Sequence, residues 1–259
     1  MQIEQEATQF ESNGLERACA FMLASVMSGC PDDDFPAHAG ALIEDAAVNE
    51  IYQNLDPERW TKLKGFLAEI IAEPQALRDL KSLYIDVFER SRPASPIYET
   101  EYGRSRAMVK GTELLDIAAF YQAFGFTFGA DDMRRDMVDH LAIELEFYAL
   151  MLAKVEALKA DDCGEGVEIV EDGRKKFLAD HLGRFIGAML ERPSIANSTF
   201  YFNAFTCVNA LVSQECRLSG IEPSQASWIE DVGDDDMSCG SLGCLSGDPK
   251  VATERSKLQ

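Results

Sequence analysis

Apolar residues recur at spacings of three and four over most of the chain. No long run alternates apolar with polar residues, so the pattern predicts helices rather than strands. Over residues 13–30, Leu15, Ala18, Cys19, Met22, Leu23 and Val26 share one face, with Asn13 as the N-cap. A second helix is expected through 37–54. A third begins after Asp56-Pro57, where aspartate suits the cap and proline the first turn; its stripe is Trp60, Leu63, Leu67 and Ile70. The next starts at Pro74 and buries Leu77, Leu80, Tyr84, Val87 and Phe88. It stops near Ser91, because Pro93 and Pro96 follow.

Residues 91–111 read as a long ordered loop carrying Ile97, Tyr98, Tyr102 and Gly103, and loops of this length inside a domain are often functional. Helix resumes at about 112–125. The longest helix is expected over about 131–160, with the stripe Met133, Met137, Leu141, Leu145, Tyr148, Leu152 and Val155. Asp131 and Asp132 fall in its first turn, where carboxylates complement the helix dipole. A Gly- and acid-rich break covers 161–172. Two more helices follow, about 173–191 and 195–219, separated by Pro193. Past residue 230 the chain is acidic and then rich in Gly and Ser. Residues 1–230 therefore read as a single all-α domain, and 231–259 as a flexible tail. The short echo of Val138-Asp139-His140-Leu141 in Ala179-Asp180-His181-Leu182 does not amount to a repeat.

Charge narrows the function classes. The formal net charge is −21, which argues against nucleic acid, whose binding needs a basic stripe. It fits either a self-repelling soluble surface or one suited to a basic partner segment. The apolar run at 18–27 is preceded by Glu4, Glu6, Glu11 and Glu16 rather than by lysine or arginine, so it does not read as a signal peptide. No stretch approaches the roughly 20 apolar residues that span a bilayer. A soluble, cytoplasmic protein without stable membrane insertion is expected. The seven cysteines include no Cys-x-x-Cys, so a disulfide framework is not expected.

Enzyme motifs are missing. The sequence has no GxxxxGK[S/T] phosphate loop, no GxGxxG and no Gly-x-Ser-x-Gly elbow. It has no Glu-x-x-His pair of the di-iron bundle type and only three histidines. His140 and Glu144 are helix neighbours that could supply two metal ligands, but a local hydrogen bond or charge pair is the commoner reading. Cys239 and Cys244 supply two thiolates without the further ligands of a zinc tetrahedron. No catalytic residue, metal site or cofactor is assigned.

Three segments carry a family resemblance. Tyr84-Ile85-Asp86-Val87-Phe88, followed by Pro93-Ala94-Ser95-Pro96-Ile97-Tyr98-Glu99-Thr100-Glu101-Tyr102, resembles the TorD/DmsD pattern of a helix ending in Tyr-x-x-x-Phe and a loop of the type P-x-x-P-Y-E-S-x-Y. Asp139-His140-Leu141-Ala142-Ile143-Glu144-Leu145-Glu146-Phe147 is similar to the family's D-H-[I/L]-x-x-E-L-x-F. Phe177 through Leu182 occupies the place of a later F-x-x-x-H-L helix. Thr100 stands where serine is usual, and Gly187 and Ala188 where some members carry tryptophan or proline.

The resemblance implies an all-α chaperone without turnover, taking part in redox enzyme maturation for anaerobic respiration. Its partner would be the apo, molybdopterin-binding catalytic subunit of a dimethyl sulfoxide reductase-like enzyme, held back from assembly or export. The subunit's twin-arginine signal peptide is a further expected partner. Such chaperones can exchange helices in a homodimer, for which 161–172 offers a hinge. Within that reading the client or leader site is expected in a groove between the 91–103 loop and the long helix. Tyr98, Glu99 and Tyr102 form one wall and Asp139, His140 and Glu144 the other, with Pro93 and Pro96 shaping the loop. Two alternatives stay open: a helical metal-binding or redox protein, and a structural subunit retained in a finished oxidoreductase.

Overall fold

A computed structural model describes residues 13–90, 95–103, 106–127 and 137–229. Pro93, the acidic run after Glu230 and the tail with Cys239 and Cys244 lie outside the described residues.

Helix α1 (Gly14–Ser28) opens at the expected cap, where the Asn13 side chain accepts from the Leu15 amide at 3.2 Å. Its burial is wider than a stripe: Ala20, Phe21, Ala24 and Met27 are buried as well as Ala18 and Leu23, while Leu15 is exposed. The helix is enclosed on several sides, so one-face periodicity understates its burial. The single helix expected at 37–54 is two, α2 (Phe35–Ile43) and α3 (Ala46–Leu55). Asp45 divides them by accepting from the Ala47 and Val48 amides at 2.9 and 3.0 Å, a local bond that competes with continuing the helix.

Helix α4 (Pro57–Ala72) starts with the Asp56 cap to the Arg59 amide and buries the four stripe residues as the spacing predicts. Helix α5 (Pro74–Tyr84) widens at its end into an i→i+5 turn over Ile85–Glu89, closed by the Arg90 amide on the Ile85 carbonyl at 3.0 Å. Helix α6 spans Arg106–Ala123, beginning about six residues earlier than the pattern suggests.

Two boundaries differ more. Helix α7 (Leu141–Ala160) begins some ten residues later than expected; Met137 is exposed before it, and Asp131, Asp132 and Met133 lie outside the described residues. The break expected at 161–172 is mostly helix: α8 runs from Gly164 to Phe177, leaving Asp161–Cys163 as the turn. The acidic residues there form the exposed face of a helix whose Val170 and Phe177 are buried against the core. A second i→i+5 turn, Leu178–Leu182, follows α8 and is closed by Gly183 on the Leu178 carbonyl at 3.0 Å. The short α9 (Ile186–Leu190) and α10 (Pro193–Ala196) lead to α11 (Thr199–Leu218), capped by Ser198.

The architecture is all-α. α1 lies along α7 at the centre, joined by Phe21 against Tyr148 (ring centroids 4.6 Å apart) and by Ser25 donating to the Ala142 carbonyl at 2.8 Å. Among the described residues no helix is long and apolar enough to cross a membrane. Extended pairing is limited there to two isolated antiparallel bridges, Tyr98 with His140 and Tyr102 with Trp228. Both fall on the same loop.

Candidate functional site

The 95–103 loop is held along both edges by backbone hydrogen bonds. On one edge the Glu99 amide donates to the Asp139 carbonyl at 3.0 Å and the Leu141 amide to the Ile97 carbonyl at 3.1 Å. On the other, Gly103 donates to the Ser227 carbonyl at 2.8 Å and Ile229 to the Glu101 carbonyl at 3.0 Å. Gly103 sits at φ +127°, a conformation that only glycine adopts without strain, and this turns its amide onto the segment after α11. Within the loop, the Tyr102 hydroxyl donates to the Pro96 carbonyl at 2.8 Å. Pro96 is the acceptor of that bond.

His140 explains why α7 begins where it does. Its Nδ1 accepts from the Ala142 amide at 3.1 Å, an N-cap made by an imidazole. A nitrogen that accepts carries no proton, so the ring hydrogen sits on Nε2 and donates to the Tyr84 hydroxyl at 3.0 Å. Tyr84 is the last residue before the wide turn of α5, so the first and second family-like segments meet at this bond. The Tyr98 ring stands edge-on to His140, with centroids 5.2 Å apart.

Beside this cap lies a cluster of carboxyl groups. Asp139 Oδ2 accepts from the Thr100 amide at 3.3 Å and its hydroxyl at 2.5 Å, while Oδ1 is buried and, among the described residues, has no hydrogen-bond partner. Burial pushes the Asp139 carboxyl above its ordinary value; the Thr100 bonds and Lys110 oppose this. Glu144, one turn into α7, is 0% exposed, and no described N–H or neutral O–H is hydrogen-bonded to either of its oxygens. Burial first, then Glu99 and Asp139, hold the Glu144 carboxyl well above the usual carboxylate range.

The second wide turn completes the cluster. His181 Nδ1 lies 3.2 Å from Glu99 and its Nε2 3.4 Å from Asp116 on α6. Arg184 stands 3.9 Å from Glu99, and Lys110 bonds Glu101 at 2.9 Å. Glu113 on α6 is partly buried, and its carboxyl is raised by burial and then by Glu99. The two histidines of the short sequence echo therefore flank consecutive loop residues, His140 at Tyr98 and His181 at Glu99.

The segment after α11 forms a strap over the loop. Ala226 donates to the Arg184 carbonyl at 3.0 Å. Trp228 packs on Tyr102, with centroids 5.3 Å apart, and carries Arg192 over its ring at 4.0 Å. A Cβ on Gly183 would stand 2.6 Å from Pro223 and 2.5 Å from the Leu178 carbonyl, so glycine there lets strap and turn approach.

Every expected site residue in the described part of the chain converges on this region. The space between loop and helix, however, is closed by direct backbone bonds instead of being an open groove. Asp139, His140 and Glu144 are fully buried, Glu99 and Tyr102 nearly so, and Tyr98 is half-buried. His140 is inside because the loop and α5 cover it. Sequence reasoning did not assign Thr100, Arg184 or Trp228 to the site. Thr100 could have been found from its place between Glu99 and Glu101 in the family-like loop, whereas Trp228 has no local signal. Among the described residues no group of three His, Cys, Asp or Glu side chains could hold a metal ion.

A separate ionic cluster lies elsewhere in the bundle. Glu215 on α11 accepts from Arg17 on α1 at 3.1 Å, Arg174 on α8 at 3.0 Å and the Tyr148 hydroxyl on α7 at 2.9 Å. It ties four helices together.

No curated protein matches the chain. Residues 52–191, more than half of it, match the family described as "Nitrate reductase delta subunit". The matched span runs from α3 to the end of α9 and contains Tyr84, the loop, Asp139, His140, Glu144 and His181. The chain thus belongs to the nitrate reductase delta subunit family, whose members are chaperones of molybdoenzyme maturation and not catalysts.

Proposed function

We propose that the client of this chaperone is the apo catalytic subunit of a dimethyl sulfoxide reductase-like molybdoenzyme, bound in the cytoplasm together with its twin-arginine leader. The observation that carries this reading is the family match over 52–191, which contains the whole loop cluster. The net charge of −21 supports a basic leader segment, because arginine pairs with carboxylates through a two-pronged fork.

The contact surface in this reading is the outer side of the 95–103 loop with α6. Tyr98 is half-exposed there, Asp116 is exposed, and Leu115 beside it is 72% exposed. Glu99, Tyr102, Asp139, His140 and Glu144 serve the site from beneath, by holding the loop in shape.

The test is capture from the native host with the full chain as bait, followed by association kinetics with the captured subunit across a salt series. A cofactor-free molybdopterin subunit, bound at a rate that falls with salt, is expected. Asp116→Asn with Tyr98→Ala weakens binding about tenfold if each contact contributes somewhat under 1 kcal/mol. Recovery of the chain only within the finished, cofactor-loaded enzyme would instead make it a retained subunit and overturn the proposal.

A further inference from the structure

The strap after α11 meets the loop as one β-strand meets another. The Gly103 amide donates to the Ser227 carbonyl at 2.8 Å and the Ile229 amide to the Glu101 carbonyl at 3.0 Å, on either side of the antiparallel Tyr102–Trp228 bridge. A third main-chain bond runs from the Ala226 amide to the Arg184 carbonyl at 3.0 Å. Side chains add less, since Glu222, Ser224, Gln225 and Ser227 are exposed. Successive side chains of an extended segment point to opposite faces, and here Ala226 is buried, Ser227 exposed and Trp228 half-buried. Trp228 packs at a steep angle on Tyr102, which in turn lies 5.4 Å from Phe185, and Arg192 stands over the Trp228 ring at 4.0 Å.

We propose that the loop edge at Glu101–Gly103 is a binding site for an extended peptide segment, occupied by the chain's own strap until a segment of the client displaces it. Main-chain bonds carry no side-chain identity, so a foreign strand can make the same pair to Glu101 and Gly103. Selection falls to two positions. A small residue takes the place of Ala226 and, two residues on, an aromatic takes the place of Trp228 between Tyr102 and Arg192, where a guanidinium favours a ring face. Ala226 is the one buried side chain among strap residues 221–229, so the strap belongs to the part of the fold that opens at low cost. This edge is the opposite side of the loop from the one that Ile97 and Glu99 present to the start of α7. That the displacing segment comes from the client rests on the chaperone reading above; the edge itself does not.

A fluorescein-labelled peptide copying residues 221–229, titrated with the full chain and read by anisotropy, tests this. The tethered strap competes at high effective concentration, so the wild-type chain should bind the copy weakly. Trp228→Ala in the chain should tighten binding of the copy about tenfold or more, because the strap loses its anchor. Ile229→Pro removes the strap's amide donor, keeps Trp228, and should do the same if the first variant folds poorly. Against either variant, a copy carrying Trp228→Ala, or one N-methylated at the Ile229 amide, should lose about tenfold. Equal affinity of wild type and both variants, or binding that survives both changes to the copy, overturns the site. The client subunit, once captured, should displace the copy; a client bound beside an undisplaced copy overturns the assignment of the occupant. The copy needs no client, so its failure leaves the client reading standing, and failure of client capture leaves the edge standing.

Discussion

Replacing Glu215 by Gln tests how much of the fold rests on one buried carboxylate. Glu215 is 0% exposed and receives Arg17 Nη1 at 3.1 and 3.3 Å, Arg174 Nη1 at 3.0 Å and the Tyr148 hydroxyl at 2.9 Å. The substitution is nearly isosteric, so packing changes little. It removes the charge that both guanidiniums face and turns an N–H₂ towards donors. Breaking a buried ion pair from one side typically costs about 3–5 kcal/mol, because the partner charge remains buried. Arg174 keeps Glu171, bonded at 2.5 and 3.1 Å, and the Arg17 side chain is 12% exposed, which places the cost near the lower end, about 3 kcal/mol. Against a typical total of about 5–15 kcal/mol this is large. Urea unfolding at neutral pH reads it as a lower midpoint with unchanged slope. Arg174→Met combined with Glu215→Leu should recover only part of the loss, because Arg17 still faces the missing carboxylate; adding Arg17→Met, which leaves no stranded charge, should recover more. A Glu215→Gln penalty below about 1 kcal/mol would show that the cluster is effectively solvated and would refute the reasoning.

The remaining predictions concern the strap and the thiols. Gly183→Ala should cost about 1–3 kcal/mol through overpacking against Pro223 and Leu178, and should loosen the strap, seen as altered Trp228 emission; unchanged stability would mean that strap and turn separate freely. Burial pushes the Cys207 thiol up to about 12 and the Cys216 thiol up to about 11, whereas Cys30 and Cys163 are exposed. Site-resolved alkylation at neutral pH should therefore modify Cys30 and Cys163 first and reach Cys207 and Cys216 only on unfolding. Equal rates at Cys207 and Cys30 would contradict the packing around α11.

Local chemistry alone determined a good part of this protein. The helical class, the Asn13 and Asp56 caps, the stripe of α4 and the end of α5 before Pro93 all follow from spacing and capping, which act within one or two turns of the residue concerned. The family-like segments also identified the loop and the Asp139–Glu144 segment as belonging together. Composition misled where an acidic, Gly-containing stretch looked like a break: α8 forms there because Val170 and Phe177 find the core, and its charges need only face outward. Periodicity likewise understated α1, which neighbours enclose on more than one side.

What the tertiary structure alone decided is the state of the polar residues. Glu99, Asp139, Glu144 and His181 come from three separate parts of the chain, and nothing in their local sequence says that they share one buried volume. Their sequence neighbours set which way each side chain points, but burial and the missing donors around Glu144 arise only when loop, α6, α7 and the turn after α8 pack together. Electrostatics in a folded chain depends on distances through space, and those are fixed by packing between elements far apart in sequence.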